Sequence, residues 1–224
     1  MSFIDTFLNV GVLYSSLPAL FKGLLFTIVI GLASIFFGVS LGLIVCLCRV
    51  YGAMPLRYLA IVFIDVLRAI PMLVVLILIY YALPFIGIRL SPWTSTILGF
   101  SIVMAAYCAE IFRSGIEGVP RGQFEAAAAL GLPFPITFLK VILPQAIRTI
   151  VPPLTSNCVS MFKETSLAST VAIPELLKEG QDAQAYFANP TPLIGAAIIY
   201  LILLLPLVRL VSSLEAKFKR EKQR

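Results

Sequence analysis

From Leu24 to Cys48 the chain carries no charged residue, and Lys22 and Arg49 bound the run. Crossing a bilayer as a helix takes about 20 mostly apolar residues. Inside lipid, every backbone polar group must find its partner within the same helix or within a closed barrel. A run this long and this uniform therefore constrains the chain more than any other feature, because it points to a spanning helix. Four further segments repeat the pattern. Ala69–Ile88 is uncharged, and its helix is expected to begin near Leu59, taking in Asp65 and Arg68. Leu90–Ala109 extends to about Arg113, Thr149–Ile173 is interrupted by Lys163 and Glu164, and the last run is read from Pro192 onward within Ala183–Val208. The expectation is an all-α integral membrane protein forming one transmembrane domain over residues 1–224. Its five spans lie at about 24–48, 59–83, 93–113, 149–173 and 192–211, with a long loop at about 114–148.

Composition supports this class and removes others. Hydrophobic residues make up 60% of the 224 and charged residues 12%, with a mean hydropathy of +1.01. A soluble domain is about a quarter charged. There is no histidine, which excludes His-ligated metal sites, Ser-His hydrolases and histidine proton relays. Cys46, Cys48, Cys108 and Cys158 all sit in apolar segments, where a free thiol behaves as a small hydrophobe. Cys46 and Cys48 fall about 200° apart on a helix, a poor metal pair. No disulfide and no metal site are expected. Asp5, with no Lys or Arg in residues 1–20, argues against a cleavable signal peptide.

The net charge of +6 lies in loops and tail, which is no nucleic-acid signature. Lys and Arg stay on the cytoplasmic side of a membrane. Arg49 and Arg57 occupy one loop, and Arg113, Arg121, Lys140 and Arg148 another. Arg209, Lys217, Lys219, Arg220, Lys222 and Arg224 form the tail. The 174–191 loop instead sets Lys178 against Glu175, Glu179 and Asp182, and the 84–94 loop has Arg89 alone. The alternation predicts an outside N-terminus and a cytoplasmic C-terminus. Trp93, with Tyr80 and Tyr81, then fits an interfacial anchor on the outer side. In the first span Gly31, Gly38 and Gly42 would let another helix approach closely.

The long loop has its own pattern. Glu125-Ala126-Ala127, Gly131 and Val141-Ile142-Leu143-Pro144 fit E-A-A-x3-G-x9-[I/V]-x-L-P. Alanines favour a helix, Glu125 suits its first turn, and Gly131 followed by Pro133 stops it. A new helix can start at Pro133 or Pro135. This segment resembles the EAA loop of the inner-membrane permease subunits of bacterial ABC importers. Ala106-Tyr107-Cys108-Ala109-Glu110-Ile111-Phe112-Arg113 and Arg121-Gly122-Gln123 resemble the lead-in found in the polar amino-acid permeases. Asp65-Val66-Leu67-Arg68-Ala69-Ile70-Pro71 resembles their R-G-T-P segment, departing at Ala69 and Ile70. Leu143-Pro144-Gln145-Ala146, Pro152-Pro153-Leu154 and Lys163-Glu164-Thr165-Ser166-Leu167 follow in family order, so the likeness spans roughly residues 20–210.

The resemblance implies a multi-pass subunit of the bacterial inner membrane that carries a polar amino acid and is not itself an enzyme. It also implies a second permease copy or homologue, an ATPase dimer and an extracytoplasmic amino-acid-binding protein as partners. The chain has no G-x4-G-K-[ST] phosphate loop, so it needs no cofactor of its own and ATP belongs to the partner ATPase. Gln123, Glu125, Ala126, Ala127 and Gly131 are the residues implied to couple to that ATPase. Competing readings are an ion-coupled secondary transporter or channel subunit, which leaves the EAA-like loop without a purpose, and a membrane enzyme. The enzyme would lack histidine, a metal cluster and a nucleophile elbow.

Ionisable residues at bilayer depth cost at least about 2.5–3.5 kcal/mol and are functional candidates. Asp65 with Arg68, and Glu110 with Arg113, are three apart and can pair on one face; both pairs are read as structural locks near span ends, with contact to substrate as the alternative. Lys163 lies about 21 Å along a helix started at Thr149, well inside the core. Taking Ser156 as origin, Lys163 falls at about 340°, Ser160 at about 40°, Glu164 at about 80° and Asn157 at about 100°. Thr170 joins at about 320°, whereas Phe162 and Cys158 point elsewhere, at about 240° and about 200°. The stripe reads as a wall of the substrate path or as a polar seam between helices. As a path it would suit a zwitterion, Lys163 meeting a carboxylate and Glu164 an ammonium; mutual neutralisation of the two is the alternative. The residues do not name the amino acid, nor do they say whether the permease pairs with itself or with a homologue.

Overall fold

The computed structural model describes residues 6–222, among which there are helices and turns and no β-strand. Asp5, Arg224 and the side chains of Lys217, Lys219, Arg220 and Lys222 lie outside the described residues. Four helices are long and apolar enough to cross a membrane, and one sharply bent pair makes a fifth crossing if it is counted as one span.

Helix α1 (Val10–Tyr51) starts well before the uncharged run. The Asn9 side chain caps it by accepting the Val12 N–H at 3.1 Å. Lys22 lies within the helix, as a good helix former can, and its ammonium sits over the Phe26 ring, 5.9 Å from the centroid. At 1.5 Å per residue α1 is roughly 63 Å long, about twice a hydrocarbon core.

The stretch expected as one span over 59–83 is broken. Helix α2 (Met54–Ala69) and the helical stretch Met72–Ile86, which opens with α3 (Met72–Ile77), meet at 106°. The cause is local: Ile70 precedes Pro71 and is extended, with φ −90° and ψ 132°, because the proline ring crowds the α conformation of the residue before it. A π-helical turn (Leu78–Ala82) and a short 3-10 turn (Leu83–Ile86) complete the second arm. The Tyr81 hydroxyl donates to the Thr170 carbonyl at 3.1 Å, and Trp93 meets Phe26 edge-on at 5.2 Å. Both aromatics therefore make contacts within the bundle.

Helix α4 (Pro92–Glu117) is the centre of the bundle. Ser91 caps it, and Phe100, Val103, Met104, Ala105, Ala106, Cys108 and Ala109 along it are all buried. Helix α1 lies against it at backbone contact. A Cβ at Gly42 would come within 2.6 Å of the Cys108 Cβ and 2.8 Å of the Ala105 carbonyl, and one at Gly38 within 2.8 Å of Met104. Small residues at that spacing let membrane helices touch, where the gain is close packing rather than expulsion of water.

After α4 comes a short helix α5 (Arg121–Ala129), then α6 (Phe134–Thr137), a π-helical turn (Phe138–Ile142), α7 (Leu143–Glu164) and a 3-10 turn (Thr165–Val171). From Phe134 to Val171 the chain is one helical rod, so the fourth crossing begins inside the loop rather than near Thr149. The 174–191 loop holds helix α8 (Leu176–Phe187), and α9 (Thr191–Lys222) closes the bundle.

Candidate functional site

Three elements converge on a cavity of about 610 Å³: the α2–α3 joint, the middle of α4 and one face of α7. The joint contributes Arg68 to Leu73, α4 contributes Val103, Met104 and Tyr107, and α7 contributes Asn157, Ser160 and Glu164. The broken helix makes the cavity possible, since a straight helix through Pro71 would carry its side chains past α7. The volume is within the range of small-molecule sites, and its lining of apolar groups with a few convergent polar ones is typical of them.

The predicted polar stripe is thereby divided. Asn157, Ser160 and Glu164 share about 60° of the α7 wheel and line the cavity. Ser156 and Lys163, on the other edge of the arc, are exposed and outside the wall. No ion pair joins Lys163 and Glu164 among the described residues. Thr170 is carried off the α-helical wheel by the 3-10 turn, which advances each residue differently. Asn157 donates its Nδ2–H to the Cys108 sulfur at 3.6 Å. Phe162 packs against α1, where a Cβ at Gly31 would lie 2.6 Å from its ring.

The charged residues near the far end of α4 form one network centred on Glu110. Its carboxylate accepts from Arg49 Nη1 at 3.0 Å and from Arg113 Nε at 3.2 Å. Arg68 Nη1 stands at 3.9 Å, too far for a hydrogen bond, and Arg113 also pairs with Glu117. Glu110 and Arg113 thus meet, as their i,i+3 spacing predicts. Asp65 and Arg68 do not. Asp65 is exposed and has no ion pair among the described residues, while Arg68 turns across to Glu110 and lies over the Tyr107 ring, 5.7 Å from its centroid. The i,i+3 spacing permits a pair on one helix; a carboxylate on the packed neighbour outcompetes it. Arg49, expected as a span boundary and a loop charge, and Tyr107 are the participants that a linear reading misses. Both sit in quoted motifs or at a span end, but nothing local marks what they face.

A fully buried carboxylate lies outside the spans. Glu175 caps α8, accepting from Leu177 N at 2.9 Å, Lys178 N at 2.8 Å and the Tyr200 hydroxyl at 2.8 Å. Burial pushes its carboxyl above the ordinary carboxylate range, and these donors pull it partway back. Thr27 accepts the Leu176 N–H at 3.1 Å, so α1, α8 and α9 are joined at this point. This is a structural junction with every carboxylate oxygen satisfied.

Of the residues expected to couple to an ATPase, Gln123 accepts from Gln145 Nε2 at 3.3 Å, and that amide also donates to the Val141 carbonyl at 2.9 Å, tying α5 to the rod. Ala127 faces inward, 4% exposed, whereas Glu125 and Ala126 are exposed. Gly131 has φ +70° and ends α5 in a Schellman motif: Leu132 N bonds to Ala127 O at 3.1 Å and Gly131 N to Ala128 O at 2.9 Å. Leu130 beside it is 78% exposed.

Residues 34–220 match the family described as binding-protein-dependent transport system inner membrane component. The chain is 38% identical over 188 residues to the L-cystine transport system permease protein TcyB of Bacillus subtilis, covering 83% of this chain and 80% of that one. It is 33% identical to the glutamine transport system permease protein GlnP of Escherichia coli, covering 92% and 96%. A crystal structure described as an amino acid ABC transporter with histidines superposes with a TM-score of 0.86 at 32% identity, covering 91% of this chain and 96% of that one. The MetNI methionine ABC transporter in an inward-facing conformation shares the fold, with a TM-score of 0.63 at 18% identity, covering 96% and 99%.

Proposed function

We propose, on the premise that this chain belongs to the binding-protein-dependent transport system inner membrane components and is a multi-pass amino-acid ABC permease of the bacterial inner membrane, that the cavity at the α2–α3 joint is its substrate path. The observation that carries this is the convergence of Asn157, Ser160 and Glu164 with the broken helix on one cavity. Non-helical backbone at membrane depth is tolerated where it is buried in protein or lines a cavity. Arg68 and Glu164 give the wall both signs of charge, which suits a polar zwitterion; Lys163, exposed and apart, is left out of the path.

Energy comes from ATP bound and hydrolysed by a separate ATPase dimer, which docks on α5. Glu125, Ala126 and Leu130 form the outward face of that docking site, and Gly131 sets its exit angle. An extracytoplasmic binding protein delivers the amino acid, and a second permease copy or homologue completes the pore.

In this reading Ser160→Leu fills the cavity with a branched side chain. Reconstituted in proteoliposomes with the ATPase and the binding protein, it should lose ATP-driven uptake or change which amino acids are carried, at membrane levels equal to wild type. Lys163→Ala, outside the wall, should transport normally. The reverse result would move the path away from this cavity.

The orientation follows from the Lys and Arg alternation: N-terminus outside, α5 in the cytoplasm and α8 outside. A cysteine introduced as Ala128→Cys should react with an impermeant maleimide only from the cytoplasmic side, and Asp182→Cys only from outside. The background must lack the four native cysteines. Labelling in the opposite sense would invert the topology.

A further inference from the structure

Among the described residues, Arg68 is the one charged residue that belongs to both the cavity and the ion network. It lines the cavity with Glu164, yet its guanidinium points toward Glu110 at 3.9 Å. Glu110 does not depend on it, since both carboxylate oxygens already accept from Arg49 or Arg113. The Arg68 guanidinium carbon lies over the Tyr107 ring, 5.7 Å from its centroid, and the side chain is 40% exposed. At 3.9 Å from Glu110 its N–H groups make no hydrogen bond to that carboxylate, which leaves the planar fork able to take a two-oxygen partner.

We infer that Arg68 is the residue that captures the carboxylate of the amino acid in the cavity, exchanging its loose contact with Glu110 for a two-pronged one with the substrate. The exchange leaves no buried charge unpaired, because Arg49 and Arg113 hold Glu110 in either state. It also acts at the hinge. Arg68 is two residues before Ile70, where α2 turns 106° into the next arm. Drawing its side chain toward the cavity therefore loads the joint itself, so occupancy of the path is felt as a force on the bend. Glu164, on the facing wall, is left to meet the ammonium. This inference rests on the cavity being the substrate path.

The test uses the permease assembled with its ATPase in nanodiscs, without the binding protein, which would impose its own preference. Calorimetric titration with each of the twenty standard L-amino acids and L-cystine identifies the tightest ligand. That ligand is then compared with its α-carboxamide, which keeps the ammonium and side chain but has no carboxylate. Wild type should prefer the acid by about 10- to 100-fold, the worth of a charge-assisted bidentate contact. Arg68→Gln should weaken the acid by a similar factor and leave the carboxamide unchanged, bringing the ratio near one. Glu164→Gln should weaken both ligands and preserve the ratio. A merely structural role for Arg68 would move both ligands together, so a wild-type ratio in Arg68→Gln overturns the inference while the path reading stands. If Arg68→Gln does not assemble, Arg68→Lys carries the test, since an ammonium lacks the planar fork; its ratio should fall severalfold, and an unchanged ratio is again fatal. Binding of no amino acid by wild type, or none lost in Glu164→Gln and Ser160→Leu, overturns the path reading and this inference with it.

Discussion

Glu110→Ala is expected to deplete the protein from the membrane. Three arginines from three helices converge on this one carboxylate, and its side chain is only 23% exposed. Removing it leaves Arg49, Arg68 and Arg113 facing one another with Glu117 as the sole remaining acid of the network. Breaking a fully buried ion pair by deleting one partner costs about 3–5 kcal/mol, because the surviving charge is left uncompensated. Here side chains 19–40% exposed let solvent screen the charges, so the cost falls below that range. Marginal folds hold only about 5–15 kcal/mol in all. Immunoblots of the membrane fraction should show a several-fold drop, and the melting temperature in detergent should fall. Glu110→Gln should behave nearly as badly, since it preserves shape and removes charge. Pairing Glu110→Met with Arg49→Met should cost less than the sum of the single changes, as contacting groups do not add. Wild-type levels and melting in Glu110→Ala would show that the arginines are solvated individually and that the network holds nothing.

Gly131→Val is expected to abolish most ATP-driven uptake while leaving the protein in the membrane. Nothing lies within 4 Å of a Cβ built at this position, so space is not the obstacle. The obstacle is φ +70°, a left-handed conformation that costs an ordinary residue about 1–2 kcal/mol and a β-branched one more. That shifts the local balance away from the Schellman exit by about 5- to 30-fold. Helix α5 would then leave at another angle and present Glu125 and Leu130 wrongly to the ATPase. Gly131→Asn separates conformation from size, because asparagine tolerates the left-handed region; it should retain a substantial part of the uptake. Equal loss in both variants would shift the cause from backbone angle to contact at the docking surface. Wild-type uptake in Gly131→Val would remove this turn from the coupling path.

Much of the molecule was legible in one dimension because membrane physics writes it there. The demand that buried backbone bond to itself makes spanning helices continuous apolar runs, so Leu24–Cys48 and the runs around Pro92 and Pro192 announce themselves. Gly38 and Gly42 announced a close contact, and Gly131 followed by Pro133 announced a helix stop, since each depends on a residue's own backbone. Local pattern misleads where the deciding interaction comes from another element. Asp65 and Arg68 have the right spacing to pair, but Glu110 on the packed neighbour claims Arg68. Residues 174–191 read as a loop by charge, yet the buried Glu175 finds partners on α8 and α9 and starts a helix there.

The stripe on α7 shows the same division within one feature. The helical wheel by itself determined that Asn157, Ser160, Glu164, Ser156 and Lys163 share a face, because 3.6 residues per turn is a local property. Which half of that face encloses a cavity depended on where α4 and the α2–α3 joint stand. That was fixed by the bend at Pro71, whose angle is a local steric effect but whose direction is set by packing against the central helix. The sequence therefore determined the helices, their polar faces and the turn at Gly131. Only the tertiary structure decided that Arg68 and Glu164 share one cavity while Lys163 stays outside it, because charge pairing and enclosure are made between elements far apart in the chain.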